Sequence, residues 1–252
     1  MKSDTNTTIL NIVIIFVLIM ESQASASKVT AITDQGTNII AQLLTKKVES
    51  VFSNIDALSL AISKRGVEVW TRWEGNSMIM LSEAKYVPYH PNEFRSVLEN
   101  FSDSFPKVNP MCKRITQLKE QGVRVGVKSL LKFPFPLSNR LMIHWQYTLL
   151  DKNQDEHLIM FSEDDNTELL EEFHNLEEKK HYVLAHTFLC AYWIKPVYSD
   201  DTKGNVVGSH VRYMFSGDTG GSIPTYLQNT LGPKTAFDSI EGIIKFVQSK
   251  NK

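Results

Sequence analysis

Apolar residues recur at helical spacing over the segment Thr45–Ser63. They stand three or four positions apart, which predicts an amphipathic helix, and they are Val48, Val51, Phe52, Ile55, Leu58 and Ile62. Gly66 ends this pattern, and apolar and polar side chains alternate after it. The alternation predicts a strand from Val67, a turn at Gly75–Asn76 and a second strand over 78–87.

Short helical segments and then mostly strands follow in the middle of the chain. Pro91 opens a helical pattern with Phe94, Val97 and Leu98 on one side, and residues 111–120 are interpreted as a further helix. Alternating side chains then predict strands at 123–133, 141–150, 157–161, 182–194 and 206–215.

The chain closes with a long helical pattern over 224–249, in which Gly232–Pro233 predicts a kink. Turns of hairpin length join the strands, so the sheet is expected to be antiparallel, with six or seven strands, and the class to be α+β. Such a sheet with one closing helix can enclose an interior. Periodicity alone does not decide whether that interior is packed or hollow.

Composition narrows the class of protein. The chain has 252 residues, of which 42 % are hydrophobic and 22 % charged, with a net charge of −1. These values are typical of a folded soluble chain and exclude both disorder as the main state and a multi-spanning membrane protein. Because basic and acidic residues are nearly equal in number, the composition does not indicate the basic surface of a nucleic-acid-binding protein. Two cysteines cannot form a disulfide scaffold or a four-cysteine zinc site.

One apolar run stands near the N-terminus, at Ile9–Met20. It is shorter than the about twenty residues that a transmembrane helix needs, and Ala24, Ser25 and Ala26 follow it as a cleavage pattern. We therefore expect residues 1–26 to be a signal peptide or an apolar N-terminal segment, and residues 27–44 to be a linker. A signal peptide predicts a secreted or luminal protein, and the alternative is a cytoplasmic protein at a membrane surface.

Three motifs carry a resemblance to a known family. The chain contains KFPFPLSNR at 132–140, YVLAHTFLCAYWIKP at 182–196 and DTGGSIPTYLQN at 218–229. In this order and spacing they resemble the START lipid-transfer family, which includes phosphatidylcholine-transfer and steroidogenic-acute-regulatory-type proteins. The resemblance covers residues 45–249. The same residues also suit fold junctions, because proline belongs at strand edges and paired glycines at tight turns.

The resemblance implies a fold and a function. The fold is a helix-grip (START/Bet v 1-like) fold, in which a curved antiparallel sheet wraps around the long C-terminal helix and encloses a lipid tunnel. The function is to bind and transfer one lipid, with the C-terminal helix as the gate, no catalysis, no cofactor and no metal. The expected partners are one lipid and, transiently, a membrane surface, for a monomer that binds no nucleic acid.

The resemblance also bears on the lipid. Positions that form an aromatic choline cage in phosphatidylcholine-binding members correspond here to Ser129 and Met142, and only Phe188 among the matched positions keeps a ring. A choline group needs aromatic faces. We therefore expect a weakly polar lipid, such as a sterol, a fatty acid or a carotenoid, ahead of a phospholipid.

The alternation of side chains along each strand predicts which residues line the cavity, because residues two positions apart share a face of the strand. On the strand at 141–150, hydrophobicity favours Leu141, Ile143, Trp145 and Tyr147 as the inward face, whereas the resemblance favours the alternate face, which we adopt. With the matched helical positions added, the expected ligand-binding residues are Lys107, Met111, Ser129, Leu131, Met142, His144, Gln146, Leu184, His186, Phe188, Cys190, Val211, Tyr213, Phe215 and Tyr226.

His144 and His186 are the candidate polar contacts. No carboxylate or third ligand stands beside them at useful spacing, so hydrogen bonding to a lipid oxygen or ordinary core packing is expected rather than catalysis or metal binding. Cys112 and Cys190 are expected to be free thiols. Two other functions stay open: an enzyme, such as a cyclase or hydrolase, that uses the same cavity, and a lipid-sensing interaction module whose partner binds the acidic segment 162–180.

Overall fold

The computed structural model describes residues 34–74, 77–122, 124–150, 156–163, 167–173, 181–199 and 204–251. The expected signal peptide at 1–26 lies outside these residues and stays a prediction. The helices are α1 (Asp34–Ser53), α2 (Pro91–Glu99), α3 (Phe101–Val108), α4 (Thr167–Phe173) and α5 (Thr225–Lys250), with a 3₁₀ turn at Ile55–Ala57. The strands are β1 (Ser59–Lys64), β2 (Val67–Glu74), β3 (Ser77–Val87), β4 (Cys112–Gln121), β5 (Arg124–Leu131), β6 (Arg140–Leu150), β7 (His157–Ser162), β8 (Val183–Leu184), β9 (His186–Tyr198) and β10 (Val206–Asp218).

These strands form one sheet in the order β1-β2-β3-β10-β9-β7-β6-β5-β4. All neighbours in that order are antiparallel, and the short β8 pairs in parallel with the start of β6. The antiparallel α+β class predicted from the turns is therefore confirmed. The described residues contain ten strands, more than the six or seven expected.

Helices cover both faces of the sheet. On one face, the inner face, Phe94 of α2, Phe105 of α3 and Ile240 of α5 belong to one buried apolar cluster with the strands. On the other, the outer face, Leu44 and Val48 of α1 pack in a second cluster. Two covered faces bury apolar side chains at successive strand positions, so hydrophobicity alone cannot tell which face points to the interior.

Two element predictions are corrected. The helix expected at 45–63 is α1, Asp34–Ser53, so residues 34–44 are helical and not a linker, and the chain enters β1 at Ser59. The helix expected at 111–120 is strand β4, which pairs with β5 at the end of the sheet order. Pairing decided the conformation there because β4 is mostly half-exposed and carries little apolar pattern of its own.

The long C-terminal helix is confirmed, and its two halves are packed differently. Its last four turns bury Ala236, Ile240, Ile243 and Val247 completely or nearly so. Before Gly232 no described α5 side chain is fully buried. Pro233 lies inside the helix and lacks the N–H that would bond the carbonyl of Asn229. Within the described residues, no helix is long and apolar enough to span a membrane.

Candidate functional site

A cavity lies between the inner face of the sheet and helices α3 and α5. The volume of the cavity is about 100 Å³, counted as the space that the centre of a water molecule can occupy. A single water molecule needs about 10–15 Å³ on the same scale. Strands β2 to β7, β9 and β10, helices α3 and α5, and the loops beside them form its walls. Its lining residues are Trp73, Met78, Met80, Phe101, Phe105, Asn109, Met111, Cys112, Ile115, Ser129, Leu131, Phe133, Met142, His144, Phe161, Thr187, Cys190, Tyr192, Tyr213, Phe215, Thr219, Ile223, Gln228, Leu231, Gly232 and Thr235.

Aromatic rings form one wall of this cavity. Phe101 stacks on Phe105 at 4.3 Å between ring centroids, and Phe101 meets Phe161 at 4.9 Å. Tyr192 and Tyr213 stand 4.8 Å apart, and burial raises the pKa of both hydroxyls well above the ordinary value. Among the described lining residues there is no Asp, Glu, Lys or Arg. The wall therefore suits an apolar and uncharged occupant.

His144 is the centre of a small polar cluster beside the aromatic wall, with its ring centroid 5.1 Å from that of Phe161. Its Nε2 lies 3.4 Å from Ser129 Oγ and its Nδ1 lies 3.2 Å from Thr187 Oγ1. The Thr187 hydroxyl donates to Met142 Sδ at 3.4 Å, so it accepts from a protonated Nδ1, and Nε2 accepts from Ser129. Burial lowers the pKa of His144 to about 3. The ring is therefore neutral, and these groups satisfy one another.

His144 should make the stability of the protein depend on pH. Its pKa falls from 6.5 in the unfolded chain to about 3 in the folded chain. The stability that it contributes is fully present above pH 6.5 and is lost as the pH falls towards 3, by up to about 1.4 kcal/mol per pH unit. We expect His144→Phe to remove this slope from the free energy of unfolding, measured by urea denaturation between pH 6.5 and 4. Parallel slopes for the two proteins would contradict the burial of an uncharged His144.

Arg140 joins the two loops at one end of the cavity. It is buried, donates from Nε to the Thr219 carbonyl at 2.6 Å and from Nη2 to the Gly220 carbonyl at 3.2 Å, and from Nη1 to the Ser138 carbonyl. Its guanidinium also lies 4.7 Å from the centroid of the Phe133 ring. Burial lowers the pKa of Arg140. Arg140 thus links loop 132–139 to loop 219–224, which leads into α5.

Eight of the fifteen expected ligand-binding residues line the cavity. They are Met111, Ser129, Leu131, Met142, His144, Cys190, Tyr213 and Phe215. On β6, Met142 and His144 line the cavity, so the face that the resemblance favoured is the one turned to the inner side. The alternate set on β6 packs in the outer cluster with α1.

The other seven residues do not line the cavity, and on β9 a β-bulge is the reason. The pairing of β9 with β10 shifts by one residue between Leu189 and Thr187. Beyond this bulge the inward positions change parity, so Thr187 lines the cavity, and His186 and Phe188 do not. Leu184 belongs to β8, and its side chain is part-exposed.

The four remaining residues lie beside or beyond the cavity. Lys107 is exposed because the buried side of α3 carries Phe101, Phe105 and Val108. Tyr226 is 66 % exposed on α5. Gln146 and Val211 are buried but do not reach the cavity, and Gln146 donates to Thr148 Oγ1 at 3.2 Å.

His186 has a carboxylate partner that the sequence spacing did not reveal. Its Nδ1 lies 2.9 Å from Glu163 Oε2, and Glu163 Oε1 accepts from the Thr187 backbone N–H at 2.7 Å. The hydrogen bond to Glu163 raises the pKa of His186. This pair stands outside the cavity and fastens the end of β7 to the start of β9.

Sequence reasoning missed the α3, α5 and β2–β3 walls. Phe101 and Phe105 are four residues apart on α3, and Met78 and Met80 alternate on β3, so both patterns held a signal. The α5 residues that line the cavity, Gln228, Leu231 and Thr235, are polar or half-buried, so the sequence held no signal for them.

The described residues hold no cluster of three or more His, Cys, Asp or Glu side chains fit to bind a metal ion. Cys112 and Cys190 are free thiols, as expected from the sequence. Both line the cavity. Burial raises the pKa of each thiol to about 12. Both are therefore protonated and inert at neutral pH.

Comparisons with known proteins agree with this fold. No protein-family model and no curated protein sequence matches the chain. Human StAR-related lipid transfer protein 5 matches with a TM-score of 0.70 at 10 % identity, over 87 % of this chain and 100 % of that chain. Human STARD10 matches with a TM-score of 0.58 at 18 % identity, over 81 % and 79 %.

A bacterial structure gives the same result. The STAR-related lipid transfer protein fragment from Xanthomonas axonopodis matches with a TM-score of 0.56 at 17 % identity, over 76 % of this chain and 98 % of that chain. The resemblance in the sequence motifs is thus confirmed at the level of the fold. The chain has the helix-grip fold of START domains.

Proposed function

We propose that this protein binds one neutral, weakly polar lipid in the cavity and carries it between membranes. The observation that carries the proposal is the cavity between the sheet and helices α3 and α5, whose surface is mostly apolar and whose described lining residues include no charged side chain. A lipid that leaves a bilayer exposes apolar surface at about 25 cal/mol per Å². A closed apolar cavity removes that cost. The structures with the same fold include proteins named for lipid transfer.

The charge of the lining favours a neutral lipid over a phospholipid. A phosphate or quaternary ammonium group transferred into this cavity would lose its hydration and meet no opposite charge among the described lining residues. His144, with a pKa of about 3, offers no positive charge at neutral pH. We therefore propose a sterol, carotenoid or similar neutral lipid, and rank fatty acids and phosphatidylcholine below them. That the protein is not an enzyme stays a prediction.

Exposure to mixed vesicles tests the lipid class. Purified protein is incubated with vesicles that contain phosphatidylcholine, a sterol, a fatty acid and a carotenoid, and is then separated and extracted. We expect close to one sterol or carotenoid molecule per protein. Recovery of phosphatidylcholine as the main bound lipid would contradict the neutral class.

We propose that the first two turns of α5 and the adjoining loops open to admit the lipid at a membrane. Three exposed apolar side chains surround this end of the cavity: Phe135 at 96 %, Tyr226 at 66 % and Leu184 at 36 % exposure. Phe135 lies in loop 132–139, which Arg140 links to loop 219–224 just before α5. We call Phe135, Leu184 and Tyr226 the mouth patch, and its proposed partner is a lipid bilayer.

Removing the most exposed apolar side chain of the mouth patch should slow transfer. Phe135→Ser is expected to reduce the rate of transfer of dehydroergosterol between vesicles by about tenfold or more, since burying a Phe side chain contributes about 1.5–3 kcal/mol. Tyr198→Ser is the control, because Tyr198 is 52 % exposed at the opposite end of β9. Equal transfer rates for Phe135→Ser and the unchanged protein, with equal dehydroergosterol affinity, would contradict membrane contact through this patch.

A further inference from the structure

Trp73 presents a buried donor without an acceptor to the cavity. Its Nε1 has no access to solvent and no hydrogen-bond partner among the described residues. The indole N–H can only donate. A buried donor without an acceptor is costly and uncommon in native proteins. Trp73 is therefore a polar group that the described residues leave unsatisfied in the wall.

The polar cluster around His144 differs in this respect. Both ring nitrogens of His144 already lie within hydrogen-bond distance of a hydroxyl, from Ser129 and Thr187. A ligand oxygen would have to displace one of these contacts. Of these two groups, Trp73 therefore has more to gain from a ligand than the histidine.

Gly232 of α5 packs directly against the Trp73 indole in the wall of the cavity. Strand pairing aligns Trp73 with Met78, Met78 with Gly217, and Gly217 with Thr187, so Trp73 stands at the same end of the cavity as the start of α5. A Cβ at Gly232 would lie 3.3 Å from Nε1 and 3.1 Å from Met78 Sδ, so the missing side chain lets α5 cover the indole closely. A ligand atom reaches Nε1 when the first turns of α5 move, as proposed above for lipid entry. Thr219, at the same end, also has a buried hydroxyl without a partner among the described residues.

We infer that Trp73 Nε1 is the anchor for the polar end of the bound lipid, and that this end carries a hydrogen-bond acceptor such as an ester, ketone or hydroxyl oxygen. The inference rests on the proposed lipid-binding function and gives it an orientation. The oxygen lies beside Gly232, at the gate end, and the apolar remainder extends towards the aromatic wall of Phe101, Phe105 and Tyr192.

Two lipids of matched length test the inference. Methyl hexadecanoate carries an ester acceptor, and octadecane has a similar chain without oxygen. The chain has four tryptophans, so a ¹H–¹⁵N spectrum shows four indole resonances, of which Trp73→Phe removes one. We expect that resonance to move downfield with methyl hexadecanoate and not with octadecane.

Affinity supplies the second measurement. Trp73→Phe keeps most of the ring and removes the donor, so it should weaken binding of methyl hexadecanoate by about three- to tenfold and leave octadecane unchanged. Gly232→Ala keeps the indole and places a methyl group 3.3 Å from its Nε1, where it obstructs a ligand oxygen, and it should weaken binding of the ester in the same way. Trp70→Phe is the control, because Trp70 lies on the same strand and packs on the outer face.

The outcomes separate the inference from the function on which it rests. If both lipids bind and neither the Trp73 resonance nor the ester affinity responds, the anchor is wrong and the lipid-binding function stands. If neither lipid binds the unchanged, folded protein and dehydroergosterol does not bind it either, the proposed function fails together with the inference.

Discussion

Leu231→Trp is expected to abolish most lipid binding while the protein stays folded. Leu231 lies in the second turn of α5, where it lines the cavity and is only half-buried. An indole at this position extends into the space that a lipid would occupy. A steric cost of about 1–3 kcal/mol corresponds to a loss of about 5- to 150-fold in affinity. Fluorescence titration with dehydroergosterol measures the loss.

Asn229→Trp provides the matched control, since Asn229 is exposed on the same part of α5. It should bind dehydroergosterol like the unchanged protein. Thermal unfolding of both variants shows whether the fold is intact. A folded Leu231→Trp variant with undiminished dehydroergosterol affinity would place the lipid outside this cavity.

Gly220→Ala should destabilise the fold by more than about 2 kcal/mol, the largest stability effect that we expect. Gly220 has φ +65°, and a Cβ there would lie 2.0 Å from the Leu184 carbonyl oxygen. Because β8 holds that carbonyl in place beside β6, the loop before α5 must move away. Its movement also stretches the hydrogen bond from Arg140 to the Gly220 carbonyl.

Gly66→Ala separates this close contact from backbone strain. Gly66 has φ +75°, and nothing lies within 4 Å of a Cβ built there. It should therefore cost only the left-handed strain of about 1–2 kcal/mol. Urea denaturation of both variants measures the difference. Equal losses of stability would show that Gly220 is not held against β8.

The sequence predicted the fold class well because local patterns and short motifs carry it. Alternating segments gave β3, β6, β9 and β10, and the long helical pattern gave α5. The strand β4 was mistaken for a helix because its conformation depends on pairing with β5, which no local pattern records. The first half of α1 was missed for a related reason, since its burial depends on the outer face of a sheet distant in sequence.

The candidate site was predicted in part, and the errors have identifiable physical causes. On β6 the face that lines the cavity is the one that the resemblance, and not hydrophobicity, favoured. On β9 one bulge turns Thr187 towards the cavity, whereas the regular alternation had predicted His186 and Phe188. Glu163 lies 23 residues before His186 in sequence, so their contact arises only through β7 and β9. Trp73 gave no signal, because an unsatisfied donor becomes visible only once its surroundings are known.

The most direct test of the central claim is native mass spectrometry of the protein purified from its own cells, with identification of whatever lipid it carries. We expect a folded protein with one neutral lipid per chain, and we expect that lipid to contain a hydrogen-bond acceptor oxygen. A folded protein that carries no lipid, even after incubation with neutral lipid vesicles, would contradict the account. A stoichiometric phospholipid would contradict the neutral class of ligand.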